Sequence, residues 1–211
     1  DVERSRGLGD VYKRQELYMN SKWTGKDFGI TAGISLVYFM ITMVVMMSGA
    51  LTPILWIFMP ALIGFFTGIP YLYIVAKEAK PGVVFLMNLI VGVIYFIAGE
   101  LSNLVIVTLI ITTVLAEGVR KVGGYHNLKT TLFSHVIFSF GMFGNPLYIW
   151  AFPEYTVARA TEEMSAEYAT VMQNVAQIWM LPVMIAATVI LALVGSMLGK
   201  TVLKNNFPTL R

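Results

Sequence analysis

The chain has 211 residues, of which 57% are hydrophobic and 13% charged, and its mean hydropathy is +0.72. Soluble domains carry roughly 25% charged residues, so this composition is typical of a protein embedded in a lipid bilayer. The absence of cysteine excludes disulfides, thiolate metal sites and cysteine nucleophiles. The net charge of +3 is better explained by loop charges that set membrane topology than by nucleic-acid binding.

The first fifteen residues, DVERSRGLGDVYKRQ, differ from the rest of the chain. They are polar, have no apolar periodicity and lack the basic, apolar and small-residue regions of a signal peptide. The run GDVYKRQ resembles translated sequencing-adapter text at the ends of metagenomic reading frames. We therefore expect residues 1–21 to be a non-native or disordered tail and residues 22–211 to form a single membrane domain.

Five blocks of the sequence contain no Asp, Glu, Lys or Arg. They are 28–76, 81–99, 101–116, 130–153 and 168–199. A helix needs about 20 mostly apolar residues to cross the ~30 Å hydrocarbon core, so the first block accommodates two crossings and each other block one. Because a backbone in lipid must satisfy its own hydrogen bonds, we expect helices rather than open strands. The predicted bundle has six membrane helices, over 28–48, 54–76, 82–99, 101–118, 130–151 and 171–198.

Prolines indicate where these helices bend. Pro60 and Pro70 lie within the second predicted helix and Pro182 within the sixth, and proline removes a backbone donor and kinks a helix. The segment 161–177 has good helix formers after an acidic first turn. We expect it to extend the sixth helix outward as a cap, with the loops 48–53 and 154–167 closing over the bundle.

Basic residues alternate along the polar segments. All but one of the fifteen Lys and Arg residues fall in four segments: the N-terminal one, those after the second and fourth helices, and the C-terminal one. The exception, Arg159, lies in the segment 154–167 beside four glutamates. Because basic loops favour the cytoplasmic side, the pattern predicts that both termini are cytoplasmic.

Polar and aromatic side chains collect in the outer half of the predicted bundle. Polar groups at membrane depth need partners or water, so their convergence suggests a cavity open to the outside. The candidate ligand-binding residues are Asn88, Glu100, Asn103, Asn145, Tyr148, Trp150, Gln173 and Gln177. Structural alternatives exist for single members, since aromatic residues gather at membrane interfaces regardless of function and Asn88 could hydrogen-bond another helix.

Other chemistry finds little support in the sequence. Ser134 and His135 are adjacent on a helix and point in different directions, and His126 with His135 lacks the spacing of a metal site. The chain contains no P-loop sequence for ATP. We therefore predict no catalytic residue, no metal and no cofactor.

The first helix carries a small-residue face. Gly29 and Gly33 are four residues apart, with Ala32 beside them, and such spacing lets another helix approach closely. The approaching helix could belong to a partner subunit or to this bundle, and the spacing alone leaves both open.

Several short motifs, in a common order, resemble those of the Trep_Strep integral membrane proteins. They are Lys26-Asp27-Phe28, Ile69-Pro70 leading to Ala76-Lys77 and Gly82, Ala116-Glu117 followed by Gly124-Tyr125, Met164-Ser165-Ala166-Glu167-Tyr168, and Gly199-Lys200 leading to Lys204-Asn205-Asn206-Phe207. The resemblance covers about 22–211.

That family is grouped with the S components of energy-coupling factor (ECF) transporters. The resemblance implies a six-helix, substrate-capturing subunit of the bacterial cytoplasmic membrane that binds a micronutrient-like small molecule from outside. Its partners would be a transmembrane T subunit and two ATPases, with Gly29, Ala32 and Gly33 at the docking face. ATP hydrolysis would then belong to the partners and not to this chain.

Two other functions fit the same topology less well. A stand-alone secondary transporter or channel would need a coupling-ion site, usually an intramembrane carboxylate, and the charge-free blocks contain none. A membrane enzyme would need a nucleophile and base, or a metal set, at one depth, and the sequence offers no such set.

Overall fold

A computed structural model describes residues 22–207, and this part of the chain is helical, without strands. The predicted tail, residues 1–21, lies outside the described residues. We number the α-helices in chain order. They are α1 (Gly25–Ser48), α2 (Pro53–Ile57), α3 (Met59–Phe66), α4 (Gly68–Lys77), α5 (Val83–Ile97), α6 (Asn103–Gly123), α7 (Leu128–Phe138), α8 (Gly144–Ala151), α9 (Pro153–Glu163), α10 (Ala166–Val175) and α11 (Met180–Leu203).

Four helical stretches are long and apolar enough to cross a membrane: Gly25–Leu51, Asn103–Gly123, Leu128–Ala151 and Met180–Leu203. The bent pair α3–α4 makes a fifth when it is counted as one span. The remaining predicted crossing corresponds to α5, an apolar helix of 15 residues. The described residues therefore establish a multi-pass helical protein with four or five candidate spans.

The second predicted helix, 54–76, is divided into three short helices. Pro53 and Pro60 occupy the first turns of α2 and α3, where a missing N–H is tolerated. At Thr67 the chain bends by 51° between α3 and α4, and Pro70 lies in the first turn of α4. The kink predicted from the prolines is confirmed, but a continuous helix over 54–76 was wrong.

The fifth and sixth predicted helices also need correction. The stretch 130–151 is interrupted by a 3-10 turn at Gly141–Phe143. The next residue, Gly144, lies so close to α6 that a Cβ there would be 2.4 Å from the Leu104 carbonyl carbon. The sixth predicted helix, 171–198, is divided between α10 and α11, and Pro182 lies in the first turn of α11 rather than kinking a longer helix. The segment 154–167, predicted to be a loop, is mostly α9, which has Pro153 at its start.

The tightest packing in the bundle joins α11 to the α3–α4 bend through four glycines. We call these residues, Gly64, Gly68, Gly195 and Gly199, the glycine interlock. A Cβ on Gly68 would lie 2.1 Å from the Gly195 carbonyl oxygen, and one on Gly195 would lie 2.3 Å from the Phe65 carbonyl oxygen. Only glycine permits this backbone contact, which is a common device in membrane helix packing.

Buried hydrogen bonds flank the interlock. The His135 ring nitrogens lie 3.3 Å from Thr67 Oγ1 and 2.7 Å from Ser196 Oγ, which connects α7 to both sides of the interlock. Ser134 Oγ lies 2.6 Å from Tyr71 Oη. Ser134 and His135 thus contact separate partners, and both act in helix packing.

One end of the bundle, which we call the basic end, contains the start of α1, the end of α4 and the start of α5. Lys80 Nζ lies 2.6 Å from Asp27 Oδ2. The backbone N–H of Gly82 donates to Glu117 Oε1 at 2.6 Å, and the fully buried Arg120 lies 3.5 Å from Glu117 Oε2. Lys77, Lys121 and Lys129 lie in the same connections. This end therefore carries the basic loops recognised in the sequence.

Candidate functional site

A cavity of about 550 Å³ lies at the end of the bundle opposite the basic end. Its wall is formed by the last turns of α1, the α5–α6 turn, α8 and α9, together with Trp56 of α2. The lining residues are Met43, Met46, Met47, Ala50, Trp56, Gly99, Glu100, Leu101, Ser102, Asn145, Tyr148, Tyr155, Thr156, Arg159, Glu163 and Met164. The volume falls in the range of about 300–1,000 Å³ that is usual for small-molecule sites.

The cavity brings together three of the eight predicted ligand-binding residues: Glu100, Asn145 and Tyr148. Asn103 is exposed and lines an adjoining groove of about 430 Å³, which shares Tyr148 and Tyr155 with the cavity. These four residues come from the α5–α6 turn, the start of α6 and α8. Three of the eight predicted residues therefore line the cavity and a fourth lies in the groove beside it.

The other four predicted residues lie away from the cavity. Asn88 lines a separate, mostly apolar groove between α5 and α6, and its Oδ1 is buried without a hydrogen-bond partner among the described residues. Trp150 Nε1 donates to the Ala176 carbonyl at 3.1 Å. Gln173 and Gln177 are exposed and contact each other, with Gln177 Nε2 donating to the Gln173 carbonyl at 3.3 Å.

Several cavity residues were not predicted. Tyr155, Arg159 and Glu163 come from one face of α9 at four-residue intervals. Pro153 followed by this i, i+4 spacing could have revealed the helix and its inward face. The thioethers of Met43, Met46, Met47 and Met164 also line the cavity.

Helix α9 forms one side of the cavity wall and is followed by α10, and we call the two helices, residues 153–175, the cap. Tyr168 Oη of α10 donates to the Gly49 carbonyl at 2.7 Å, which ties the cap to the turn after α1. Gly49 is packed against Trp56, since a Cβ on it would be 2.8 Å from Trp56 Cδ1. Met172 belongs to a buried apolar cluster with Ile57 of α2. The cap and Trp56 are therefore held in place by the same contacts.

Two carboxylates and one guanidinium belong to the cavity wall. Arg159 forms an ion pair with Glu163 one turn further along α9. Glu100 forms no side-chain hydrogen bond or ion pair with any residue of 22–207. Burial raises the pKa of the Glu100 carboxyl above its ordinary value, and the neighbouring Glu163 carboxylate adds to that increase. Glu100 is thus a partly buried acid without a partner inside the protein.

Metal chemistry has no obvious ligand set here. Among residues 22–207, no three His, Cys, Asp or Glu side chains are grouped so that they could hold a metal ion. The polar groups of the wall are instead carboxylate, amide, phenol, hydroxyl and guanidinium groups from the α5–α6 turn, α8 and α9. Such an arrangement suits binding and orienting an organic molecule.

The sequence profile of a family described as hypothetical bacterial integral membrane proteins, Trep_Strep, matches residues 25–208. The chain belongs to the Trep_Strep family. The predicted resemblance is thereby confirmed over nearly the whole described region, and membership agrees with the multi-pass helical architecture. No curated protein and no solved structure matches this Trep_Strep chain.

The small-residue face of the Trep_Strep chain lies on the outside of the bundle. Gly29 and Gly33 are exposed, and no atom lies within 4 Å of a Cβ placed on either. Ala32 is half-buried beside them. Among residues 22–207 nothing packs against Gly29 or Gly33, so contacts within this part of the bundle do not account for their spacing. The face is accessible to lipid or to another protein.

Proposed function

We propose that the protein is the substrate-binding S component of an ECF-type transporter. It would capture a small organic solute in the 550 Å³ cavity, and partner subunits would drive uptake with ATP. The cavity at the end opposite the basic loops carries this proposal. Basic loops favour the cytoplasm, so the cavity end faces the outside of a bacterial cytoplasmic membrane and receives solute from there.

The proposed topology has six crossings with both termini cytoplasmic. It counts α3–α4 as one bent crossing and α5, with 15 residues, as a short one. At 1.5 Å per residue α5 is shorter than the hydrocarbon core, and local thinning of the bilayer accommodates such a mismatch. An even number of crossings agrees with basic residues at both termini.

The cap supports the capture role. Its inward face supplies Tyr155, Arg159 and Glu163, so part of the binding surface is on the element that covers the site. Release of the Tyr168–Gly49 hydrogen bond would allow the cap to swing away. Closure of such elements excludes water and commits a bound molecule.

The face formed by Gly29, Ala32 and Gly33 supports docking to a T subunit that carries two ATPases. Because no described side chain covers Gly29 or Gly33, a partner helix could approach the α1 backbone as closely as α11 approaches α3–α4. Docking through such a face buries few large side chains, which suits a contact that must form and release.

Co-expression with an ECF T subunit and its ATPases, followed by affinity purification, tests this function. We expect a complex with the wild type and its loss in Gly33→Leu. Gly92→Leu is the matched control, because Gly92 also has no atom within 4 Å of a Cβ but lies on α5. The control variant should still form the complex. Absence of a wild-type complex, together with solute transport by the chain alone in liposomes, would show a stand-alone transporter instead.

A further inference from the structure

The charge of the cavity wall gives information about the ligand. The wall contains the acids Glu100 and Glu163 and a single basic residue, Arg159. Because Arg159 is already paired with Glu163, the unpaired charge of the wall is the Glu100 carboxylate. An anionic ligand would find no free basic side chain there and would face this carboxylate.

The turn that carries Glu100 is held in a defined conformation. The backbone N–H of Glu100 donates to the Tyr95 carbonyl at 2.9 Å. Gly99 has φ +78°, a conformation that favours glycine and lets the chain reverse direction at this point. Glu100 is therefore a fixed part of the wall. Partial burial of a carboxylate without a partner costs free energy, and a ligand cation bound to it would offset that cost.

The remaining wall is suited to a cation attached to an apolar body. Tyr148 and Tyr155 form an aromatic pair with ring centroids 6.1 Å apart, and Trp56 lies in the same wall. Aromatic faces attract cations. The thioethers of Met43, Met46, Met47 and Met164 are polarizable and adapt to irregular shapes.

We propose that the cavity binds an organic monocation, a protonated amine or cationic heterocycle, with its charge against Glu100 and its apolar or aromatic part against Trp56, Tyr148 and the methionines. Asn145, whose side chain forms no hydrogen bond within residues 22–207, would orient a polar group of the same molecule. This inference rests on the proposed capture function, and it names the substrate class of that cavity.

Three probes of similar size and different charge test it: 2-phenylethylamine, 2-phenylethanol and 3-phenylpropionate. Each is titrated at pH 7 into the full chain in lipid nanodiscs, and the shift of the thermal unfolding midpoint gives an apparent affinity. The amine carries a positive charge opposite the Glu100 carboxylate and the alcohol does not, so the amine should bind at least about tenfold more tightly than the alcohol. The propionate should bind more weakly than either.

Glu100→Gln should remove the advantage of the amine over the alcohol and Glu100→Asp should retain part of it. Glu162→Gln, which removes an exposed carboxylate of α9 outside the cavity wall, should leave the advantage unchanged. Equal binding of the three probes, preference for propionate, or an amine preference that survives in Glu100→Gln would overturn the proposal. These measurements use the isolated chain, so failure to form a complex with a T subunit would contradict the S-component role without affecting their outcome.

Discussion

Two sets of glycines with the same four-residue spacing have opposite surroundings in this protein. A Cβ placed on Gly29 or Gly33 of α1 would meet none of the described neighbouring residues within 4 Å, whereas one placed on Gly68 or Gly195 of the glycine interlock would lie only 2.1 or 2.3 Å from a backbone oxygen. Spacing therefore shows that close helix approach is feasible, but not which helix approaches. The interlock glycines pack against other helices of this chain, whereas no described helix packs against Gly29 and Gly33 of α1.

The two ends of the bundle also differ in whether a glutamate side chain has a partner within the described residues. At the basic end, Glu117 accepts a hydrogen bond from the Gly82 backbone and pairs with Arg120. At the cavity end, Glu100 has no side-chain partner among the described residues. One carboxylate is thus paired within the fold, and the other has no side-chain partner among residues 22–207. Substitutions of residues that are packed or paired within the protein should therefore affect its stability. Substitutions of residues that lack such partners should affect binding.

The largest effect is expected at the interlock. Gly68→Leu places a side chain where a Cβ alone would be 2.1 Å from the Gly195 carbonyl oxygen. Relief requires separation of α11 from α4, so we expect destabilisation by more than about 3 kcal/mol. Thermal unfolding followed by tryptophan fluorescence, with size-exclusion chromatography, measures it. Gly29→Leu, on the exposed face, is the control and should unfold near the wild-type temperature. Equal behaviour of the two variants would contradict the distinction between the two faces.

The second effect concerns the buried ion pair. Arg120→Met leaves Glu117 buried without its partner, and removal of one member of such a pair destabilises by about 3–5 kcal/mol. The double variant Arg120→Met/Glu117→Gln should recover part of that loss. Arg159→Met breaks the exposed Arg159–Glu163 pair, for which about 0–1 kcal/mol is expected. Urea or thermal unfolding of the four proteins compares them, and a large loss in Arg159→Met would be inconsistent with its exposure.

The sequence predicted the helices better than their interruptions. Charge-free blocks located α1 and α5 to within three residues, because long apolar stretches have few alternatives in lipid. The breaks at Thr67 and Gly141 lie beside close contacts with α11 and α6. Such contacts join residues far apart in the chain, which explains why proline predicted a kink but not three separate helices.

Membrane depth predicted the candidate site only in part. Depth along a helix follows from counting residues, and three residues selected in this way, Glu100, Asn145 and Tyr148, line the same cavity. The direction in which a side chain points around its helix depends on packing. Asn88 consequently lies in the groove between α5 and α6, and the α9 residues were missed because their segment was interpreted as a loop.

A smaller effect is expected on the open α1 face. Gly33→Ala adds a methyl group where nothing lies within 4 Å, and alanine favours a helix over glycine by roughly 0.5–1 kcal/mol. The variant should therefore unfold at an equal or slightly higher temperature than the wild type, as measured by circular dichroism. The same change at Gly195, where a Cβ would be 2.3 Å from the Phe65 carbonyl oxygen, should lower the unfolding temperature. A decrease in both variants would mean that Gly33 packs inside the bundle after all.

The smallest effect is expected at Glu100 in the absence of ligand. Its pKa is raised above the ordinary 4.5 by burial and by Glu163, so the folded state holds this proton more tightly than the unfolded state does. The resulting stability is complete below pH 4.5 and is lost as the pH rises through the folded-state pKa. Glu100→Gln removes that dependence, so the variant should be slightly more stable than the wild type at pH 7. Unfolding midpoints across pH 4 to 8, with Glu162→Gln as the control, measure it. If Glu100→Gln is more stable without ligand and also binds phenylethylamine more weakly, the carboxylate serves ligand binding. If the variant is less stable than the wild type at pH 7, Glu100 has a structural role like that of Glu117.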